Sequence, residues 1–228
     1  MGISEADLAF IAALGELPQR VCDLGDQDLL CNNEAVFDSL GFIAPKRGKA
    51  RDFWKALGRD YLSLDVVGEA TRLDLNKESA RPEWGLFDLV TNCGGTEHII
   101  NQVNCFTVMH DLTRVGGIMY HSLPVAGYAG HGFFTYNLKF FAALARANGY
   151  KIISSRLDIS STNTTFDRNE AAELATLLDK LSSIPDAGVR VAMRKTNGEP
   201  FALPLDIPAS PPALFKGLSA KWLGWLGR

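Results

Sequence analysis

Four short apolar runs in this chain end in Asp, Asn or Gly, and all four histidines lie between positions 98 and 131. The runs are Arg20-Val-Cys-Asp-Leu-Gly-Asp-Gln27, Tyr61-Leu-Ser-Leu-Asp65, Thr71-Arg-Leu-Asp-Leu75 and Leu86-Phe-Asp-Leu-Val-Thr-Asn-Cys-Gly-Gly95. Buried strands with polar carboxyl ends are how an open parallel sheet addresses a nucleoside-like ligand. Asp23 and Gly25 fall where such a ligand crosses from strand to helix, and glycine there allows a tight turn and close backbone approach. Asp65, at the second strand's end, suits a pair of ribose hydroxyls. Asp74 with Leu75 suits an adenine amino group beside an apolar contact. Neither G-x-G-x-x-G nor G-x-x-x-x-G-K-S/T follows the first run, so a dinucleotide or P-loop nucleotide is not expected.

The histidines offer a second kind of chemistry. A neutral imidazole near pH 7 can take a proton from an attacking oxygen or nitrogen. His131 opens Gly130-His-Gly-Phe-Phe-Thr-Tyr-Asn137 and is the first candidate base; His121, on or after a fifth strand, is the second. Each also reads as a structural hydrogen-bonding group. His98 and His110, on one helical pattern, are about three turns apart and too distant to share a ligand. A His121/His131/Glu97 metal site has no ligand-spacing motif behind it, so no metal is expected. Tyr128, Phe133, Phe134 and Tyr136 suit an aromatic wall for an acceptor; Phe133 and Phe134 equally suit an anchor for the next helix in the core.

The elements that must position these groups alternate. Ser4-Glu-Ala-Asp7 fits a capping box opening a helix that ends between Gly15 and Pro18. Strands are expected at Val21–Leu24, around Tyr61–Asp65, at Leu73–Leu75, Phe87–Thr91, Gly117–Leu123 (stopped by Pro124), Tyr150–Ile159 and Val189–Thr196. Helices are expected over Asp28–Leu40, within 44–59, over Glu97–Arg114, Phe134–Asn148 and Asn169–Leu181. Such alternation predicts an α/β, doubly wound, mainly parallel sheet with helices on both faces.

The bulk composition agrees with one sizeable domain: 228 residues, 46% hydrophobic, formal net charge −3. The lack of a basic excess argues against nucleic acid as a partner. Cys22, Cys31, Cys93 and Cys105 have no C-x-x-C spacing and read as buried thiols of a reducing compartment. With no basic n-region at the N-terminus and no apolar run of about 18 residues, neither a secretory signal nor a transmembrane segment is expected, and a cytoplasmic location follows. Residues 1–199 read as the domain. Residues 200–228 read as a Pro-rich connector and a basic amphipathic segment, suited to a homodimer contact, a peripheral membrane contact, or packing as a lid.

The order of motifs resembles the class I S-adenosylmethionine-dependent methyltransferases. Val21-Cys-Asp-Leu-Gly25 resembles the first motif, Leu64-Asp65 the ribose acid, Leu73-Asp-Leu75 the adenine contact, Phe87–Asn92 the fourth-strand motif and Val115-Gly-Gly-Ile118 the entry to strand five. The resemblance covers about residues 18–196. It implies a Rossmann-like seven-stranded sheet with an antiparallel return at its end, S-adenosylmethionine as cofactor, and cofactor contacts from Asp23, Gly25, Gln27, Asp65, Asp74, Leu75 and Asn92. The family's first motif usually continues Gly-x-Gly, whereas this chain has Gly25-Asp26-Gln27. Gln27 then either binds the methionine carboxylate or amine, or marks a pocket that has lost its cofactor. The two functional expectations are O-methylation of a small-molecule or glycan-precursor acceptor, and a non-catalytic Rossmann-like binding or scaffold protein.

Overall fold

The structure is a computed structural model that describes residues 2–15, 17–31, 47–128, 131–159, 164–167 and 186–206. The elements in chain order are β1 (Gly2–Ser4), α1 (Glu5–Ala12), β2 (Arg20–Leu24), β3 (Asp28–Leu30), β4 (Arg47–Lys49), α2 (Ala50–Ala56), β5 (Asp60–Asp65) and β6 (Thr71–Arg72). They continue with β7 (Phe87–Cys93), α3 (Gln102–Leu112), β8 (Thr113–Gly127), α4 (Leu138–Asn148), β9 (Lys151–Ile159), β10 (Thr164–Asp167) and β11 (Asp186–Arg194). Single 3₁₀ turns cover Pro82–Trp84 and Thr96–His98.

The main sheet has the order β10-β9-β11-β8-β7-β2-β5-β6. Strands β8, β7, β2, β5 and β6 run parallel, while β11 inserts antiparallel between β8 and β9. This is the expected Rossmann-like, mainly parallel sheet with its antiparallel return. It counts eight strands rather than seven because β10 pairs back onto β9. Both faces are covered, so alternate residues of one strand enter different cores. Val21, Leu89 and Tyr120 pack with α1 and α2, against Leu8, Phe10, Phe53 and Trp54. Cys22, Leu24 and Val90 pack with α3 and α4, against Phe106, Met109 and Phe141. Strands buried on both faces read as continuous apolar runs, which is why they stood out in the sequence.

The differences from expectation lie at the ends of elements. Residues 28–30 form β3, in a small sheet with β1 and β4, instead of opening a helix; residues 32–46 lie outside the described residues. The third strand is Thr71–Arg72, paired with Leu64–Asp65, and Leu73–Leu75 has already left the sheet. The long pattern from Glu97 divides into a 3₁₀ turn and α3, because Asn101 accepts a bond from the Asn104 amide and restarts the helix. Asn137 does the same for α4 through the Phe140 amide, so that helix begins at Leu138 rather than Phe134. An apolar period runs on through such caps and hides them. Strand β8 passes through Pro124 to Gly127. Proline is tolerated there because β7 stops at Cys93, opposite Ser122, and the pairing with β11 shifts register near Gly188–Pro124.

Elsewhere the reading holds: Ser4 and Asp7 form the capping box of α1, and Gly149 closes α4 in the left-handed conformation. All four cysteines are buried, with no disulfide among the described residues. No helix among the described residues is long and apolar enough to cross a membrane. The helix expected over 169–181 and the amphipathic segment beyond residue 206 lie outside the described residues. The connector begins by packing on the domain: Asn148 exchanges two hydrogen bonds with the Ala202 backbone, and Lys139 pairs with Asp206.

Candidate functional site

The chain leaves β2 toward β5 and β6 on one side and later returns to β7 on the other. The carboxyl ends of β2 and β7 therefore flank the sheet's topological switch point, where ligands of such folds bind. A narrow crevice of about 40 Å³ opens there, and its lining includes Gly25, Asp65, Leu73, Leu75, Gly95 and Ile99. Three of the expected cofactor residues, Gly25, Asp65 and Leu75, thus meet on one surface. Gly25 has φ +107°, a conformation that side chains resist. Its amide donates to Leu64 O, which sets the turn beside the end of β5. The Asp65 carboxylate accepts from Asp26 N (2.8 Å) at one oxygen and from Val66 N and Val67 N (2.6 and 3.3 Å) at the other. A carboxylate accepts about four bonds, so one position remains for a ligand hydroxyl.

The other expected residues are placed differently. Asp23 shares the α1/α2 face with Val21; it is fully buried and accepts from Thr91 Oγ1 (2.5 Å) and Tyr61 Oη (2.8 Å). Burial drives its pKa up to about 6, against the opposing hydrogen bonds from Thr91 and Tyr61. Asn92 is also fully buried: it accepts from Thr96 N and donates to Thr96 Oγ1, which fixes the loop leaving β7. The Asp74 carboxylate closes its own turn on Asn76 N and lies 3.3 Å from Lys77 Nζ. The Asn76 amide, more than the lysine, holds its pKa below the usual carboxylate value. Gln27 donates to Leu24 O, while its buried Oε1 finds no partner.

His121 must be corrected as a candidate base. It is fully buried on the α3/α4 face, between the rings of Phe106 and Phe141, and burial lowers its pKa to about 3. No substrate reaches a base enclosed on every side. His110 is structural as well: its Nε2 lies 2.9 Å from the Glu199 carbonyl, which only accepts, so Nδ1 must accept from Tyr150 Oη at 2.6 Å.

His131 stands apart, its side chain 47% exposed, over a larger cavity of about 600 Å³ whose lining includes Gly94, Glu97, Tyr128, Asp158 and Arg190. His131 Nε2 is 3.7 Å from Glu97 Oε1, and its ring meets that of His98 edge to face at 4.9 Å between centroids. The backbone explains the approach. Phe133 N and Phe134 N both donate to Glu97 O, and a Cβ on Gly132 would stand 2.9 Å from Glu97 Cγ. The segment 94–99 contributes to both, Gly94 and Glu97 to this cavity and Gly95 and Ile99 to the crevice.

The Asp26 side chain pairs with Arg51 (2.7 Å) and Lys49 (3.3 Å). Arg51 also binds Glu69 at 2.6 Å, which ties the 66–69 loop beside the crevice to α2. Sequence offers no sign of this clamp, since its three members lie far apart in the chain and obey no helical or strand period.

No family model matches the chain, and no curated protein matches it. Among solved structures, the 1,6-didemethyltoxoflavin-N1-methyltransferase of Burkholderia thailandensis, with 1,6-didemethyltoxoflavin and S-adenosylhomocysteine bound, is similar at TM-score 0.50 and 15% identity; the match covers 85% of this chain and 78% of that one. A phosphoethanolamine N-methyltransferase 2 of Haemonchus contortus, in complex with phosphomonomethylethanolamine and S-adenosylhomocysteine, is similar at TM-score 0.51 and 14% identity, over 84% of this chain and 53% of that one. The chain therefore has the Rossmann-like fold of the class I methyltransferases.

Proposed function

We propose that the protein is an S-adenosylmethionine-dependent methyltransferase acting on an oxygen of a small-molecule or glycan-precursor acceptor. The observation that carries this reading is the meeting of Gly25, Asp65 and Leu75 in one crevice at the switch point. S-adenosylmethionine supplies an activated methyl group. The crevice residues match the adenosyl half by chemistry: the unfilled Asp65 position accepts a ribose hydroxyl, and Leu73, Leu75 and Ile99 offer apolar contact to a base. At about 40 Å³ the crevice is too small for the whole cofactor, so binding requires it to widen.

The acceptor occupies the larger cavity, beside the 94–99 loop, and the cluster at Glu97 and His131 relieves its hydroxyl of a proton. The two similar structures bind S-adenosylhomocysteine and small molecules, which agrees with a small acceptor here.

Calorimetric titration with S-adenosylmethionine and S-adenosylhomocysteine tests the reading. Binding in the micromolar range, about −8 kcal/mol, is expected. Asp65→Ala should weaken it by roughly 1.5–3 kcal/mol through lost charge-assisted hydrogen bonds. Absence of binding by the wild type would favour the scaffold reading, with the closed crevice as its cause.

A further inference from the structure

We propose that Glu97, His98 and His131 form a binding site for a divalent cation of the zinc class at the wall of the large cavity. Their ligand atoms all lie within 4.8 Å of one another. The Glu97 side chain is 1% exposed, and among the described residues neither carboxylate oxygen has a hydrogen-bond partner. A buried carboxylate without donors is costly unless it is neutralised or meets a cation. His131 Nε2, at 3.7 Å, is too far for a hydrogen bond and leaves space between the two groups.

The donor set selects the metal. Two imidazoles with one carboxylate suit zinc and its first-row neighbours, whereas calcium and magnesium favour oxygen ligands throughout. Ligands held at about 2.1 Å around a tetrahedral ion lie roughly 3.4 Å apart. The widest separation here must therefore contract by somewhat more than an ångström. The half-exposed His131 side chain and the partly exposed His98 can rotate that far, and Glu97 need not move.

The backbone prepares the site. Glu97 and His98 lie in the 3₁₀ turn Thr96–His98, held by the Asn92–Thr96 hydrogen bonds. His131 is held from the other strand's exit by its own amide bond to Tyr128 O and by the Phe133 and Phe134 bonds to Glu97 O. His98, not His121, is the histidine that stands beside Glu97 and His131. Three protein ligands leave a fourth position, which faces the cavity. The cation-binding inference stands on this donor set alone; with the ion bound, Glu97 and His131 are its ligands and no longer take a proton, and use of the ion to polarise an acceptor hydroxyl in their place rests on the methyl-transfer reading.

The full-length protein, stripped with a chelator and dialysed, is titrated with zinc sulfate by calorimetry. One zinc per chain is expected at micromolar affinity or tighter, weakened at least tenfold in Glu97→Gln and in His131→Ala. Thermal unfolding confirms that each variant is folded. Independently of the variants, anomalous diffraction from zinc-soaked wild-type crystals should place the ion about 2.0–2.2 Å from both imidazoles and the carboxylate. Absence of zinc binding by the wild type, equal binding by both variants, or an ion located elsewhere would overturn the site. S-adenosylmethionine titration of the same stripped protein separates the two readings. Cofactor binding without zinc binding removes this site alone, and zinc binding without cofactor binding removes the methyl-transfer reading alone.

Discussion

Asp23 holds a carboxyl group out of reach of solvent, where it accepts hydrogen bonds from the hydroxyls of Tyr61 and Thr91. Its folded pKa of about 6 stands above the ordinary 3.8, so the folded state binds the proton more tightly. The resulting stability is present below the unfolded pKa and is lost as pH rises through about 6. Asp23→Asn imitates the protonated form, and both partner hydroxyls can still bond to an amide. Relative to wild type, the variant should gain on the order of 3 kcal/mol between pH 4 and pH 7. Urea unfolding across that range measures the difference, which also removes the opposite contribution of His121. A difference that stays constant with pH would mean that Asp23 is ionised throughout. The residue also shows the limit of reading strand ends from sequence. A run buried on both faces gives no clue to which face a given side chain enters. Asp23 and Gly25 are two positions apart, yet one lies in the core and the other at the crevice. Gly25 and Asp65 were legible because they stand where strands stop, and a strand's end is marked by the change from apolar to polar residues; Leu75 lies beyond the end of its strand.

At the scale of elements, most strands were readable from apolar runs and the antiparallel return was implied by the family resemblance, while the strand boundaries were not. Asn101 and Asn137 sit inside apolar periods, and Pro124 ends a strand only where both neighbours need its N–H. The juxtaposition of the loops at Glu97 and His131 was likewise hidden. It depends on the backbone of one loop crossing the other, with Gly132 as its only local trace. That glycine is at negative or extended φ, so its requirement is one of space. In Gly132→Ala the new Cβ would lie 2.9 Å from Glu97 Cγ and 3.1 Å from Glu97 O. Glu97 O is held by the Phe133 and Phe134 bonds and the Glu97 side chain is buried, so relief of the clash must displace one or the other. A cost of roughly 1–3 kcal/mol is expected from this overpacking. Chemical denaturation measures it. Unchanged stability would show that the 131–134 segment is not held against Glu97.

At the scale of the whole molecule, one buried network joins the N-terminal helix to three strands of the sheet. Asp7, the capping-box residue of α1, accepts from Ser4 N, Ser4 Oγ, Tyr120 Oη on β8 and Arg190 Nε on β11. Arg190 also binds Asp158 on β9. Burial by itself would raise the Asp7 pKa, but the Arg190 charge and the Ser4 and Tyr120 bonds outweigh it and hold the group below the ordinary carboxylate value. Stability from Asp7 is thus present at neutral pH and is lost as pH falls through the depressed pKa. Arg190→Leu leaves the Asp7 charge buried without its cation, and breaking such a pair costs roughly 3–5 kcal/mol. For a domain near this size each kcal/mol moves Tm by about 2–4 °C, so a fall of roughly 6–20 °C at pH 7 is expected. Protonated Asp7 no longer needs the cation, so the gap between variant and wild type should narrow as the pH drops below about 4. Adding Asp7→Asn to Arg190→Leu should restore part of the loss at pH 7, because the double variant buries no unpaired charge in α1. Calorimetric unfolding of the three proteins across pH decides the matter. A variant within a degree of wild type at pH 7, or a gap that widens in acid, would mean that α1 is held by its apolar face alone, through Leu8, Phe10 and Ile11.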